Sequence, residues 1–377
     1  MTRPGLTTDE RRADTFFDLV ADRLTFSDIN PMNEKGAKQR FLKHGKEPQF
    51  RYGQPAEELS QFKAGLELLP KLEDGAAASI LNCKQQELIR KIRLLERLGT
   101  PGFATTSAQL YPLPDKKLLE QAHALLRLPP SGKAKRITRV EGIKLIRKVF
   151  DHLGLKYAIR SSPILTSARM QAGNRLLELK KRERFSEDYL KRLVVHEIGT
   201  HALRGENGAL QPLRMFKNGF PGYLDAEEGL AVYNEYRAGL LTNSILRNYA
   251  GRIVAIDTAS KAGFKETYKE LRKHFTQKTA WKLAVRAKRG LKDTSKPGAY
   301  TKDTVYLRGF TTILGFAKNH DPNELYQGKI APKDLTAIRN IPHLKKPRFL
   351  LQSVLDKDLI TPTERRVEEE TIRQLTK

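Results

Sequence analysis

Between residues 8 and 27 apolar side chains recur at helical spacing, at Phe16, Phe17, Leu19, Val20 and Leu24, behind Thr8 and Asp9, which suit an N-cap and a first turn. The turn-rich run from Asp28 to Glu34 breaks that pattern, and Pro48-Gln49-Phe50-Arg51-Tyr52 alternates as a short extended piece does. Two further helical stretches, 56–71 and 76–98, close at Gly99-Thr100-Pro101-Gly102. Leu128-Pro129-Pro130-Ser131-Gly132-Lys133 has the composition of a linker. It predicts a mostly helical amino-terminal region (1–130), a second region (136–345) and a C-terminal extension (346–377).

Beyond the linker, Thr138 and Glu141 have the spacing of a capping box, and Ile143, Ile146, Val149, Phe150 and Leu153 form one apolar stripe that Gly154 ends. A strand is predicted at Tyr157-Ala158-Ile159 and extended chain over 168–179. Ser186 can cap a helix running through His196 toward Leu203, with Gly205 as its stop. Gly205, Gly208, Pro212, Gly219, Pro221 and Gly222 then predict a long loop, and Asp225-Ala226-Glu227-Glu228 the start of another helix. Tyr300 to Gly309 alternates like a strand, and residues from Thr361 onward read as a charged terminal helix. The fold class predicted is α+β, with a small sheet and two helices carrying the chemistry.

With 377 residues, 39% of them hydrophobic and 30% charged, there is ample material for a packed interior and a solvated exterior. The lone Cys83 cannot form an intramolecular disulfide and reads as a buried or idle thiol. The first residues lack an apolar signal-like stretch and no segment approaches a membrane span, so a cytoplasmic location is expected. Sixty-nine Lys and Arg against 43 Asp and Glu leave a net charge of +26, which favours polyanionic partners: nucleic acid, anionic lipid or acidic polypeptide.

The chemistry concentrates in Val195-His196-Glu197-Ile198-Gly199-Thr200-His201, where two of eight histidines flank a glutamate inside an apolar helix. Metal-binding helices of the H-E-x-x-H type space their histidines by four, which puts both imidazoles on one face. Here the spacing is five, which in an α-helix rotates the second side chain by about 500°, leaving the two about 140° apart. Shared coordination therefore requires a π-type distortion, expected at Ile198 to Thr200, with Gly199 as the residue that tolerates it. A hydrolytic zinc site completes two histidines with a carboxylate and leaves a position for water. Glu228 is the candidate third ligand, although with Asp225 it also has capping-box spacing; Glu227 is the second choice. Glu197 would then be the general base that activates zinc-bound water. Tyr306 is a candidate oxyanion donor, or else a half-buried structural tyrosine.

His196-Glu197-Ile198-Gly199-Thr200-His201 together with Glu228-Gly229-Leu230-Ala231 resembles the microtubule-associated tyrosine carboxypeptidase family, whose bacterial members are called QEGLA-motif proteins. The resemblance extends to Pro31-Met32-Asn33-Glu34, Pro48 to Tyr52, Lys302 to Gly309 and Gly328-Lys329-Ile330. It implies a zincin-like metallopeptidase domain, one Zn2+ held by His196, His201 and Glu228, and Glu197 as catalytic base. This chain has Glu227 where the bacterial name has Gln, which favours Glu228 as the ligand. Characterised animal relatives trim the acidic C-terminal tails of tubulin, and a cationic enzyme would attract such a substrate. A carboxypeptidase also needs a cation for the substrate's terminal carboxylate; Arg204, Arg237, Lys302 and Arg308 are the candidates. The alternative is a non-enzymatic basic protein that binds nucleic acid or an acidic partner and uses the His–Glu cluster as a structural metal site.

Overall fold

Thr7 rather than Thr8 caps the first helix, α1 (Thr8–Arg23): its hydroxyl accepts from Glu10 N while the Glu10 carboxylate accepts from Thr7 N at 2.8 Å. The computed structural model describes residues 5–24, 26–131, 136–162, 168–171, 173–181, 185–356, 359–361 and 366–376. Helices α2 (Glu34–His44), α3 (Glu58–Leu68), α4 (Ala78–Glu96), α5 (Gly102–Leu110) and α6 (Lys116–Leu126) follow. On α4 the buried positions Leu81, Leu88, Ile89, Ile92 and Leu95 form the inward stripe, while Cys83 is exposed rather than buried. Gly132 and Lys133 of the expected linker lie outside the described residues, as do Pro362 to Arg365 of the expected terminal helix.

Strand β1 (Arg136–Ile137) leads into α7 (Arg139–His152), which Thr138 and Glu141 cap reciprocally as their spacing predicts. Three strands form a mixed sheet: β2 (Ala158–Ser162), β3 (Ala168–Gln171) and β4 (Leu176–Lys180), in the order β2-β4-β3. β4 is central and buried from Leu176 to Leu179, parallel to β2 and antiparallel to β3, with Met170 opposite Leu177. The expected extended stretch 168–179 is thus two strands, with Arg175 at a φ of 45° in the turn between them. β5 (Phe185–Ser186) pairs with β1, and Ser186 caps α8 (Glu187–Leu193).

The helix expected to stop at Gly205 continues: a segment of different winding, Val194–Ala202, passes into α9 (Leu203–Ala209). The loop expected over 205–224 also holds α10 (Met215–Asn218). Its glycines serve packing as well as turning, since a Cβ on Gly208 would lie 2.3 Å from the Phe216 carbonyl oxygen. The chain goes on through α11 (Leu224–Arg237), α12 (Asn243–Lys261), α13 (Phe264–Arg272), α14 (Gln277–Lys288), α15 (Thr304–Phe316), α16 (Leu335–Ile338) and α17 (Glu369–Leu375). The strand-like run Tyr300 to Gly309 is instead a 3-10 turn, Thr301–Asp303, followed by α15. Its buried Val305 and Leu307 fit period two locally, but Phe310, Ile313 and Leu314 extend the apolar set at helical spacing.

The principal core joins Val194, Val195, Ile198, Ala202 and Leu203 to Leu177 and Leu179 of β4, Leu230 of α11, and Leu351 and Val354 near the C-terminus. A second core packs Val232 and Tyr236 of α11 with Ile253 of α12 and Phe310 of α15. The helix carrying His196 is therefore wedged between sheet and α11, and burial on both sides fixes its rotation. Among the described residues no helix is long and apolar enough to cross a membrane.

Candidate active site

Val194–Ala202 is wound as a π-helix, so the departure expected at Ile198 to Thr200 occupies nine residues. Bonding from i to i+5 brings residues five apart close to one face, and the His196 and His201 rings meet with centroids 4.9 Å apart at an interplanar angle of 85°. Side chains support this winding. Thr200 Oγ1 donates to Val195 O at 3.2 Å, and Tyr326 donates its phenolic hydrogen to Gly199 O at 2.6 Å. The Asn234 amide donates to both Thr200 Oγ1 and the Tyr326 hydroxyl, at 2.8 and 2.9 Å. Gly199 needs no left-handed backbone here; a Cβ would sit 3.3 Å from Leu351, so its small size admits the C-terminal segment.

Glu228 faces the two imidazoles from α11. Its Oε2 lies 3.5 Å from His196 Nε2 and 3.8 Å from His201 Nε2, and this buried oxygen has no hydrogen-bond partner. The capping box with Asp225 does not form: α11 begins at Leu224, and Asp225 binds the Arg308 guanidinium at 2.9 and 3.0 Å. Ligand atoms of His196, His201 and Glu228 all lie within 4.8 Å of one another. Separations of 3.5 and 3.8 Å are long for hydrogen bonds and near the edge of about 3.4 Å that tetrahedral coordination with bonds of about 2.1 Å would have. An orphaned carboxylate oxygen beside two imidazole nitrogens is a donor set that fits a divalent cation.

The far nitrogen of each ring is held by a carboxylate. His196 Nδ1 lies 2.7 Å from Glu235 Oε1, and His201 Nδ1 lies 2.8 Å from Glu227 Oε1. Such partners orient a metal-binding imidazole and set its tautomer. Arg192 anchors Glu235 at 2.7 Å, and Arg204 anchors Glu227. Burial would raise the Glu227 carboxyl, but Arg204, Lys329 and His201 hold it down at about 2. Burial would lower His196, yet the carboxylates of Glu228, Glu235 and Glu197 outweigh it and bring the imidazole up to about 10. Glu228 is likewise kept below the usual carboxylate range despite burial, by His196, His201 and Lys302. The surroundings therefore favour positive charge between these side chains.

Backbone contact fixes Glu228 from the other side. A Cβ on Gly229 would fall 2.2 Å from the carbonyl carbon of Gly309, and one on Gly309 would fall 1.9 Å from Asp225 O. Helices α11 and α15 thus touch main chain to main chain directly beside Glu228.

Glu197 projects from the π-helix toward β3, where Met170 N donates to its Oε2 at 3.0 Å. Beside it opens a cleft of about 520 Å³ whose lining includes His196, Glu197, Tyr249, Arg252 and Tyr306. Tyr306 is half-buried, stacked on Tyr249 with centroids 5.3 Å apart and planes 9° from parallel. Burial, and then the charge of Glu228, push its phenol above the ordinary tyrosine value, so it stays protonated.

The four expected carboxylate-binding cations meet different fates. Arg204 is fully buried and spends its donors on Glu227 and the carbonyls of Leu325, Gly328 and Ile330, so it positions Glu227 and cannot reach a substrate. Arg308 is committed to Asp225 and to Pro112 O at 3.0 Å, again a structural tie. Arg237 is exposed at the far end of α11, about 13 Å along the axis from Glu228. Lys302 is half-buried, with Nζ 5.7 Å over the Phe26 ring, and its charge bears on Glu228. Sequence reasoning missed Arg192, Glu235 and Arg252. Glu235 carried a signal: it follows Glu228 by seven residues, two turns along the same face of α11.

These features define an α+β protein with a partly buried His–His–Glu cluster on two packed helices, backed by carboxylates and open to a cleft. The chain belongs to the microtubule-associated tyrosine carboxypeptidase family, whose pattern matches residues 39–368. Human microtubule-associated tyrosine carboxypeptidase 1 is 34% identical over 170 residues, 41% of this chain and 33% of that protein. Mouse MATCAP2 is 32% identical over 182 residues, 44% of this chain and 33% of that protein. The matched region thus spans about a third of the length of these relatives. A solved lipoprotein candidate from Colwellia psychrerythraea covers 90% of this chain and 77% of its own, at 13% identity and a TM-score of 0.43.

Proposed function

We propose that the chain is a zinc-dependent carboxypeptidase with a zincin-like catalytic domain, removing C-terminal residues from acidic polypeptide tails. The observation that carries this reading is the convergence of His196, His201 and Glu228, each histidine backed by its own carboxylate and Glu228 Oε2 left without a partner. One divalent cation held by these three would supply Lewis acidity toward a scissile carbonyl and acidify a water molecule to a pKa of about 7.

The remaining work falls to the chain's own groups. Glu197, held through Oε2 by Met170 N, accepts a proton from the attacking water and returns it to the leaving amine nitrogen as the C–N bond breaks. Tyr306, protonated and on the same cleft, donates a hydrogen bond to the carbonyl oxygen as negative charge develops there. The family name supports a carboxypeptidase, and the net charge of +26 supports an acidic substrate.

The test is mass spectrometry of acidic peptides with varied C-termini, incubated with wild type and Glu197→Gln. Stepwise loss of terminal residues by wild type, abolished by the substitution and by a chelator, is the expected result. Intact peptides under every condition would refute the reading. Steep weakening of nucleic-acid binding with salt, indifferent to chelator, would favour a basic binding protein instead.

A further inference from the structure

The cleft beside Glu197 holds a cation, Arg252, to which the fold gives two aromatic faces and the charge of Asp303 but, among the described residues, no hydrogen-bonded carboxylate. Helix α12 presents Asn248, Tyr249 and Arg252 to it, three residues on neighbouring turns of one face. The Arg252 guanidinium carbon lies 4.2 Å from the ring centroid of Tyr306 and 5.0 Å from that of Tyr249. Because those rings are themselves stacked, the guanidinium is held over an aromatic wall and its orientation is preset.

Its neighbours on the cleft are engaged. Arg192 binds Glu235 at 2.7 Å, Arg286 grips Asp303 through both carboxylate oxygens, and Arg289 bonds Asn30 at 3.0 Å. Arg192 and Arg289 each keep an unpaired Nε, but each is anchored through another nitrogen. Arg252 differs: both its Nε and its Nη1 are buried without a hydrogen-bond partner. Unmet donors on such a charge are costly, and a carboxylate entering the cleft is the acceptor that a guanidinium takes best. Tyr306 bridges the two halves of the site, for its ring faces Arg252 while its phenol feels the charge of Glu228.

Resting on the carboxypeptidase reading, we propose that Arg252 is the substrate-binding residue that takes the α-carboxylate of the polypeptide and restricts the enzyme to free C-termini. An acidic side chain offers the same carboxylate chemistry, so the test separates the two sources. Three fluorescent peptides of one acidic sequence are compared by polarisation on metal-free protein: one ending in a free Ala acid, one in Ala amide, one in Glu amide. Wild type is expected to bind the Ala acid at least tenfold more tightly than either amide, and Arg252→Gln to lose that preference while melting close to wild type. The acid–amide comparison on wild type needs no variant, which keeps the test valid if Arg252→Gln folds poorly; Arg252→Lys is expected to retain part of the preference. With metal restored, hydrolysis of the Ala acid by Arg252→Gln should fall about a hundredfold in kcat/KM, chiefly through KM.

Equal or undetectable binding of acid and amide by wild type overturns the proposal. So does Glu amide binding as tightly as Ala acid, or a preference that survives in folded Arg252→Gln. The two claims fail separately. Hydrolysis that ignores Arg252 leaves the peptidase standing without this anchor. An Arg252-dependent acid preference with no hydrolysis leaves a C-terminus-binding site without the enzyme.

Discussion

His201 Nδ1 and Glu227 Oε1 lie 2.8 Å apart, so the glutamate immediately before Glu228 braces one histidine while Glu228 itself faces the gap between both. Consecutive residues on α11 thus have separate tasks. Glu228→Gln should abolish tight zinc binding in a competition titration. Glu227→Ala should weaken it about 10- to 100-fold, the usual cost of removing an orienting partner. Glu227→Gln should do less harm, because an amide oxygen still accepts from Nδ1–H. Equal losses in Glu227→Gln and Glu228→Gln would contradict this division.

The π-helix depends on the hydroxyl of Tyr326, which donates to Gly199 O and accepts from Asn234. Tyr326→Phe leaves those buried groups short of partners and should lower stability by about 1–3 kcal/mol in denaturant unfolding. Zinc affinity should fall with it, since the winding sets the relation of His196 to His201. Unchanged affinity in the folded variant would show that the winding needs no such support.

Gly309 and Gly315 lie on the same helix in opposite circumstances. A Cβ on Gly309 meets Asp225 O at 1.9 Å, whereas one on Gly315 meets nothing within 4 Å. Gly309→Ala should destabilise by about 3 kcal/mol through forced separation of α11 and α15, and should weaken zinc binding by shifting Glu228. Gly315→Ala should be neutral or stabilise by about 0.5–1 kcal/mol. Similar melting temperatures for the two variants would contradict the main-chain contact.

Asp14 predicts a pH dependence remote from the site. Burial, the main cause, raises its carboxyl to about 6 from 3.8, against hydrogen bonds from Arg214 N and Met215 N. The folded state therefore binds more protons than the unfolded state between these values, and this group's contribution to stability falls as pH rises through that window. Across the window the change amounts to about 3 kcal/mol. Unfolding of wild type and Asp14→Asn at pH 4 and pH 7 should show the stability difference, wild type minus variant, shrinking by up to that amount. A constant difference would contradict it.

Much of the site was legible before the fold was known, because the five-residue spacing of His196 and His201 forces a choice between no shared ion and a distorted helix. The distortion is there, but longer than expected, since its supports Asn234 and Tyr326 come from distant segments. Arg204 and Arg308 qualify in sequence as cations for a substrate carboxylate; only tertiary packing shows their donors spent on Glu227, Asp225 and backbone carbonyls. Arg252 carries no local signal, because its meaning lies in two tyrosines, one of them 54 residues further on, and in partners it lacks. Helix ends were misplaced where glycine was read as a stop: Gly205 lies within α9, buried by packing. Across Tyr300 to Gly309 the two periods cannot be separated in so short a window.

The central claim is that His196, His201 and Glu228 jointly hold one divalent cation. Zinc per chain, measured by inductively coupled plasma mass spectrometry after loading and exhaustive dialysis, tests it most directly. The account predicts one zinc for wild type and for Glu197→Gln, and none for folded His201→Ala or Glu228→Ala. Wild type that retains no zinc, or a Glu228→Ala protein that retains a full equivalent, would contradict it.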